Sequence, residues 1–250
     1  MALQPYRSAL VTGGSKGIGA AICRKLRERD LTVYAVARNR EALQDLARSI
    51  GIIPVVADVR DTAALVASLK GAEIDILVNN AGGLATVRPL HLQTAAEIRD
   101  TIDLNLTAPL QLVQALLPGM IGRKRGHVFN ITSTAGHAVF PGTVTYGAAK
   151  AGLAHAGSIL RYDLAGSNVR ITEVSPGRVE TEFYLQAFGG DRQGLKQKMY
   201  TEQRALTPDD VAAVIAAALA MPQHADLARI SVEPTDQATG GHIYGTFHPE

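Results

Sequence analysis

The sequence predicts an α/β fold: a single domain over residues 1–250 with one doubly wound parallel sheet and helices on both faces. Three observations carry this. Short runs of β-branched and apolar residues alternate with segments of helical period along the chain. Runs such as Asp75 to Val78 are almost continuously apolar, as strands buried on both faces require. The residues after the strands read GGSKGIG, NNAG, ITSTAG and VSPG, so Gly, Asn, Ser and Thr gather at the strand ends, where such sheets bind ligands.

The elements follow in order. SALVTGG is a strand entering a glycine turn, and IGAAICRKLRERD has helical period. TVYAVA is a strand. NREALQDLARSIG is a helix capped by Asn39 and ended by Gly51. IPVVADV and DILVNNAG are strands separated by a helix around Thr62 to Lys70. The stretch from Ala96 to Met120 reads as one long helix, and His91 to Arg99 only as loop and helix start. GHVFNITS is a strand, the Tyr146 segment a helix, and VRITEVSP a strand. Thr207, Pro208 and Asp210 form a helix start of cap, first-turn proline and capping-box acid. That helix runs through Val211 to Met221, and RISVEP is the last strand.

Composition narrows the function. The net charge is +2, so no basic field points to nucleic acid. The RKR cluster at Arg123 to Arg125 reads as the cationic end of a helix. The apolar run Val211 to Met221 is too short for a bilayer, and no membrane partner is expected. The lone cysteine, Cys23, reads as a small core residue and suits a reducing, cytoplasmic location. None of the seven histidines belongs to a zinc-type motif, so no metal is expected.

Thr12 to Gly19 is a glycine-rich turn between a strand and a helix. Gly13, Gly17 and Gly19 allow a tight turn and close approach of a pyrophosphate to a helix N-terminus. After the second strand comes Ala37-Arg38-Asn39, where an NAD site would carry an acid for the ribose hydroxyl. Arg38 can pair with a 2′-phosphate through its planar fork, and Lys16 adds a second positive charge. The alternative is that both are solvated surface cations; the missing acid favours NADP. Asp58 and Val59 could meet the adenine edge, and Asn80, Ala81 and Gly82 the ribose.

Tyr146 and Lys150, four residues apart, share one helix face. A neighbouring ammonium stabilises a phenolate and is expected to lower the phenol's pKa, making Tyr146 an acid/base group. Ser133 ends the preceding strand, where its hydroxyl can polarise a carbonyl. Asn105 lies within the long helix, an unusual place for Asn. Singly, the Tyr–Lys pair is a surface contact and Asn105 a buried amide. Together, behind a nucleotide turn, they form a catalytic constellation.

These residues resemble the short-chain dehydrogenase/reductase family. Thr12-Gly13-x3-Gly17-x-Gly19, Asn79 to Gly82, Asn105, Ser133, Tyr146-x3-Lys150 and Pro176-Gly177 match its motifs in order and spacing, from about Ser8 to Pro234. The resemblance implies a Rossmann-type fold, an NADP(H) cofactor and a catalytic tetrad. In that tetrad Tyr146 is the acid/base and Lys150 also holds the nicotinamide ribose. Ser133 holds the substrate oxygen, and Asn105 keeps a water in a proton relay. The implied cofactor site runs from Gly13, Ser15, Lys16, Gly17, Ile18 and Gly19 to Arg38, Asn39, Asp58 and Val59. It continues with Asn80, Ala81, Gly82, Tyr146 and Lys150, and closes with Pro176, Gly177, Val179 and Thr181 along the nicotinamide. The C-terminal half is similar to the 3-hydroxy acid and serine dehydrogenase subgroup, which includes sulfoacetaldehyde reductases. Ile18 and Asp30 depart from that subgroup's pattern, as do Phe188 to Met199 and Gly240 to Glu250.

The expected activity is NADP-dependent interconversion of a small aldehyde or ketone, in one form carrying a carboxylate or sulfonate, and its alcohol. Besides Ser133 and Tyr146, His137 and Arg178 are candidates for the substrate. His137 is otherwise an exposed loop residue; Arg178 otherwise pairs with Glu180 or Glu182. Tyr184 and Phe188 suit a flap. A 3-ketoacyl-type reductase, a non-catalytic NADP-sensing regulator and a structural oligomer subunit are the rival readings. The resemblance also implies a homo-oligomer, dimer or tetramer.

Overall fold

The computed structural model describes residues 6–185, 189–197, 200 and 204–237. Seven parallel strands form one sheet in the order β3-β2-β1-β4-β5-β6-β7. They are β1 (Ser8–Thr12), β2 (Thr32–Ala37), β3 (Ile53–Val56), β4 (Ile76–Asn79), β5 (Gly126–Ile131), β6 (Val169–Pro176) and β7 (Arg229–Val232). Helices fill the crossovers: α1 (Gly17–Arg27), α2 (Arg40–Ile50), α3 (Thr62–Ser68), α4 (Ala95–Ile102), α5 (Ala108–Gly122), α6 (Val144–Asp163), α7 (Arg192–Lys196) and α8 (Pro208–Ala220). The order reverses between β1 and β4, which opens a crevice beyond their carboxyl ends.

Strand alternation builds two cores. Val11, Val78 and Phe129 point to one face, where they meet Ile22 and Leu26 of α1 and Ile215 and Leu219 of α8. Leu10, Leu77 and Val128 point to the other, against Leu65 of α3 and Leu112 and Met120 of α5. The expected helix ends are present. Asn39 Oδ1 accepts from the Ala42 amide, and Gly51 closes α2 in the left-handed region at φ 71°. Thr207 and Asp210 bond reciprocally at the start of α8. Thr94 and Glu97 make a second capping box that starts α4, in a stretch that reads from sequence only as loop and helix start.

Two expectations change. The long helix is broken into α4 and α5 by a wider π turn, Asp103–Thr107, in which the Ala108 amide bonds Asp103 O five residues back. Taken from end to end, Ala95–Gly122 is long and apolar enough to cross a bilayer by length and composition. Here its Leu112, Val113 and Met120 are buried in the sheet core. The RKR cluster does more than end a helix. Arg123 Nη2 donates to Ile74 O at 2.8 Å, and Arg125 Nε donates to Asp75 Oδ1 at 3.0 Å. Asp75, 1% exposed, also accepts from the Arg7 amide at 2.8 Å. The chain reversal between α5 and β5 brings the arginines over this buried carboxylate, a contact that charge spacing cannot reveal.

Asp75→Ala strips Arg125 and the Arg7 amide of their acceptor and removes the carboxylate 3.5 Å from Arg123 Nε. The expected loss is about 3 kcal/mol of unfolding free energy, the lower end for breaking a buried pair because the arginines are partly hydrated. Urea denaturation measures it; a loss below about 1 kcal/mol would contradict the assignment.

Candidate active site

The crevice is stitched at its base by one hydroxyl. Thr12 Oγ1, at the end of β1, accepts from the amides of Asn80 and Ala81 at 3.0 and 2.9 Å and donates to Val78 O at 3.2 Å. Asn80 Nδ2 returns a bond to Thr12 O at 2.8 Å. The glycine turn then passes over Asn80. A Cβ on Gly19 would stand 2.2 Å from Gly13 O and 2.7 Å from Asn80 Nδ2, so only glycine fits there. Gly13 and Gly17 have φ of 65° and 54°, conformations that favour glycine. Behind the turn, α1 begins with no side-chain cap and no acid in its first turn, so its amides and positive dipole end are open to an anion.

At the ends of β2 and β3 the charges are distributed unevenly. Arg38 is exposed and, among the described residues, bonds to no acid. Asp58 is clasped by Arg60, with Nε–Oδ1 at 3.1 Å and Nη2–Oδ2 at 2.7 Å. Arg60's hydrogen bonds hold its carboxyl below the usual range, with Arg38's charge adding to the effect. Asn39 Oδ1 is occupied as the α2 cap, Val59 is buried, and Ile18 packs on the core. Lys16 Nζ pairs with Glu182 at 2.8 Å, and Arg192 also pairs with Glu182. Glu182 is therefore a partner of the glycine turn and not of Arg178.

The four constellation residues converge on the other side of β4. Asn105 lies in the π turn and is wholly buried. Its Nδ2 donates to Gly83 O at 2.8 Å and to Thr101 O at 2.9 Å; its Oδ1 accepts from the Gly83 amide at 3.3 Å. A Cβ on Gly82 would lie 2.8 Å from Asn105 Oδ1 and 3.3 Å from Lys150 Nζ, so the missing side chain leaves room for both polar groups to approach the backbone there. Lys150 Nζ donates to Ile131 O at 2.8 Å and lies 5.7 Å from the Tyr146 ring centre. Ser133 accepts from the Ala135 amide at 3.1 Å and also interacts with the Tyr146 hydroxyl.

The electrostatics differ from expectation. Burial raises the Tyr146 pKa, Tyr184 adds to the rise, and Ser133 opposes it. Burial lowers Lys150 to about 8. Tyr146 is 7% exposed and Lys150 3%, and the ammonium is directed over the ring toward a backbone carbonyl. Desolvation of the phenolate therefore outweighs the attraction that the i,i+4 spacing suggests. The phenol is a protonated donor at neutral pH.

The loop after β6 supplies what the sequence leaves vague. Pro176 pairs with Val232 of β7, and the Gly177 amide donates to Val232 O at 2.8 Å. Val179 bridges to Leu206, and Thr181 Cγ2 comes within 3.5 Å of where a Gly17 Cβ would stand. Phe183, which sequence reasoning missed, places its ring 5.5 Å from Tyr146; Tyr184 meets Phe183 edge-on at 5.1 Å. Phe188 lies outside the described residues. His137 is turned to Glu173, whose carboxylate lies 2.5 Å from Nε2 and also accepts from Thr132 and Arg229. Its ring is thus committed to a buried carboxylate, a pairing with no signal in the local sequence.

Because burial disfavours the Lys150 ammonium, the folded protein binds that proton less tightly than the unfolded chain. The resulting cost is fully present below pH 8 and is relieved as pH rises from about 8 toward the ordinary lysine value of 10.5. Between pH 7 and 10.5, the parent is expected to gain about 3 kcal/mol of unfolding free energy relative to Lys150→Met. Parallel denaturation curves across that range check it; a pH-independent difference would rule out a desolvated ammonium.

Comparison with known proteins agrees with this geometry. A family profile described as short chain dehydrogenase matches residues 7–188. The chain is 38% identical over 240 residues to the NADP-dependent 3-hydroxy acid dehydrogenase YdfG of Escherichia coli K12, covering 93% of this chain and 96% of that one. It superimposes on the closed form of serine dehydrogenase complexed with NADP+ with a TM-score of 0.87 and 35% identity, over 97% of this chain and 100% of that one. For the serine dehydrogenase from Escherichia coli the TM-score is 0.79 at 33% identity, over 92% and 99% of the two chains. A parallel sheet reversing at β1 and β4, a glycine turn over Asn80, and Asn105, Ser133, Tyr146 and Lys150 gathered beside it go with these matches: the chain belongs to the short-chain dehydrogenase family.

Proposed function

We propose that the protein is an NADP-dependent oxidoreductase that interconverts a small carbonyl compound and its alcohol, with Tyr146 as the acid/base. The observation that carries this is the convergence of Gly82, Asn105, Lys150, Tyr146 and Ser133 beside the crevice between β1 and β4. The residues present fit the cofactor. The glycine cradle would be filled by any Cβ at Gly19, α1 offers an uncapped N-terminus to a pyrophosphate, and exposed Arg38 can take a 2′-phosphate.

When bound, the nicotinamide supplies or accepts the hydride. The chain's own residues handle the oxygen and its proton. Ser133, beside the Tyr146 hydroxyl, holds and polarises the substrate oxygen. Burial keeps Tyr146 protonated, so in the reducing direction its hydroxyl gives a proton to that oxygen as charge develops. In the oxidising direction the phenol first passes its own proton to the relay; the phenolate, favoured by the Lys150 ammonium, then takes the alcohol's proton. Asn105 fixes Gly83 and with it the loop after β4, placing a polar group beside Lys150 for a water in the relay. Thr181, against the glycine turn, and Val179, bridged to Leu206, would border the nicotinamide end. Phe183 shields the phenol from water. The reading brings with it a cytoplasmic location, in keeping with lone, buried Cys23, and a dimer or tetramer formed over the face of α6 on which Ile159 and Tyr162 are exposed.

Tyr146→Phe should bind NADPH as the parent does, by fluorescence titration, and lose at least about 100-fold in turnover. Near-parental turnover would sink the acid/base assignment. Arg38→Asp should move the ratio of kcat/KM for NADPH over NADH toward NADH by about 100-fold, since it replaces a phosphate partner with a hydroxyl acceptor. An unchanged ratio would leave Arg38 a surface cation.

A further inference from the structure

A carboxylate lies within β6, a strand that is otherwise almost continuously buried. Glu173 is 5% exposed and stands in register with Asn130 of β5 on one side and Arg229 of β7 on the other. A charge in such a place is costly unless its oxygens are taken up. The two oxygens are taken up by different parts of the fold. Oε2 accepts from Arg229 Nε at 2.8 Å, across to the next strand. Oε1 accepts from Thr132 Oγ1 at 2.8 Å and from His137 Nε2 at 2.5 Å. Burial works to raise the Glu173 pKa, but the bonds from His137, Thr132 and Arg229 outweigh it and hold the carboxyl below its usual range. A carboxylate has no hydrogen to give, so the imidazole Nε2 is the donor.

Thr132 and His137 bracket Ser133. Thr132 stands immediately before it, and His137 follows the single 3-10 turn Thr134–Gly136. One oxygen of Glu173 therefore grips both ends of the segment that carries the Ser133 hydroxyl. The opposite side of that segment is closed by α6. A Cβ on Gly136 would lie 2.9 Å from the Ala151 nitrogen and 3.0 Å from the Lys150 carbonyl carbon, so the turn rests directly on the helix backbone. Arg229 would suffice as a counterion for Glu173. The two bonds on Oε1 instead tie β6 to the turn, from the side that α6 leaves open.

We propose that Glu173 is a positioning residue for Ser133: through Thr132 and His137 it holds the turn so that the Ser133 hydroxyl is presented to the substrate oxygen beside Tyr146. The proposal rests on the reading of Ser133 as the group that holds that oxygen. His137 then serves the site from behind the turn and does not touch the substrate. The gain is one of geometry. A displacement of about 1 Å at a reacting contact is enough to cost about 100-fold in rate, and a turn seated between α6 and Glu173 has little room to move by that much.

The test is a set of double-mutant cycles with Ser133→Ala. Racemic serine and racemic 3-hydroxybutanoate are the probes, with NADP+ and the absorbance of the NADPH formed; NADPH affinity is titrated by fluorescence. Glu173→Gln should lose about 30-fold in kcat, and His137→Ala or Thr132→Val about 10-fold, with KM and NADPH affinity within about 3-fold of the parent. His137→Gln keeps a donor for Oε1 and should recover to within about 3-fold. Arg229→Gln leaves both bonds to the turn and should also stay within about 3-fold. On the Ser133→Ala background the losses from Glu173→Gln and His137→Ala should shrink below about 3-fold, because the hydroxyl they position is gone. Undiminished losses on that background would overturn the proposal, as would an Arg229→Gln loss equal to that of Glu173→Gln. Should Glu173→Gln not fold, His137→Ala and Thr132→Val decide, since both leave the Glu173–Arg229 pair in place; parental kcat in the two would overturn the proposal. Parental turnover by Ser133→Ala would remove the role of Ser133 and this one with it, leaving Tyr146 standing. No turnover of either probe by the parent would remove the proposed function and this role together.

Discussion

The Thr12 hydroxyl bonds three backbone groups of β4 and its following turn, and the site depends on that stitch. Parallel strands tend to splay where their order reverses, because the helices that follow β1 and β4 leave on opposite faces. Here the two strand ends are held at hydrogen-bond distance, and the glycine turn crosses directly above Asn80. That closeness is why Gly19 has no room for a side chain. It also fixes where Ala81, Gly82 and Gly83 run, and therefore the backbone against which Asn105 and Lys150 are set. The glycine turn and the cluster of Asn105, Lys150 and Tyr146 lie on two sides of one short stretch that follows β4.

Asn105 shows how a helix is altered to serve that stretch. A regular α-helix through Asp103–Thr107 would keep its backbone bonds in the i,i−4 pattern. The π turn widens it by a residue, and the Asn105 amide donates both back to Thr101 O and across to Gly83 O. A polar side chain that competes with helix backbone becomes a bridge between a helix and a loop. The buried amide is satisfied, so the distortion is held by hydrogen bonds and not by packing alone.

Burial sets the electrostatics of Tyr146 and Lys150. With both side chains out of water, the charged form of each is disfavoured, so Tyr146 keeps its proton and Lys150 parts with its own more readily. Around this dry centre lie partnered charges: Glu173 with His137 and Arg229, Glu182 with Lys16 and Arg192, Asp58 with Arg60. Arg178 is set apart from them by having no such partner among the described residues.

The sequence by itself determined the architecture and the candidate site residues. Period-two and period-3.6 patterns placed β1 to β7 and most helix ends, because strand burial and capping are local and leave their mark within a few residues. The glycine spacing, Asn105, Ser133, Tyr146 and Lys150 were legible for the same reason: each is a residue type at odds with its local setting. Tertiary structure decided the rest. The π turn depends on Gly83, twenty-two residues upstream of Asn105, and the role of Arg123 and Arg125 on Asp75, fifty residues from Arg125. The partners of Glu182 and His137 lie at Lys16 and Glu173. The direction of the Tyr146 shift followed from burial, a sum over every element packed around the ring, which a four-residue spacing does not contain.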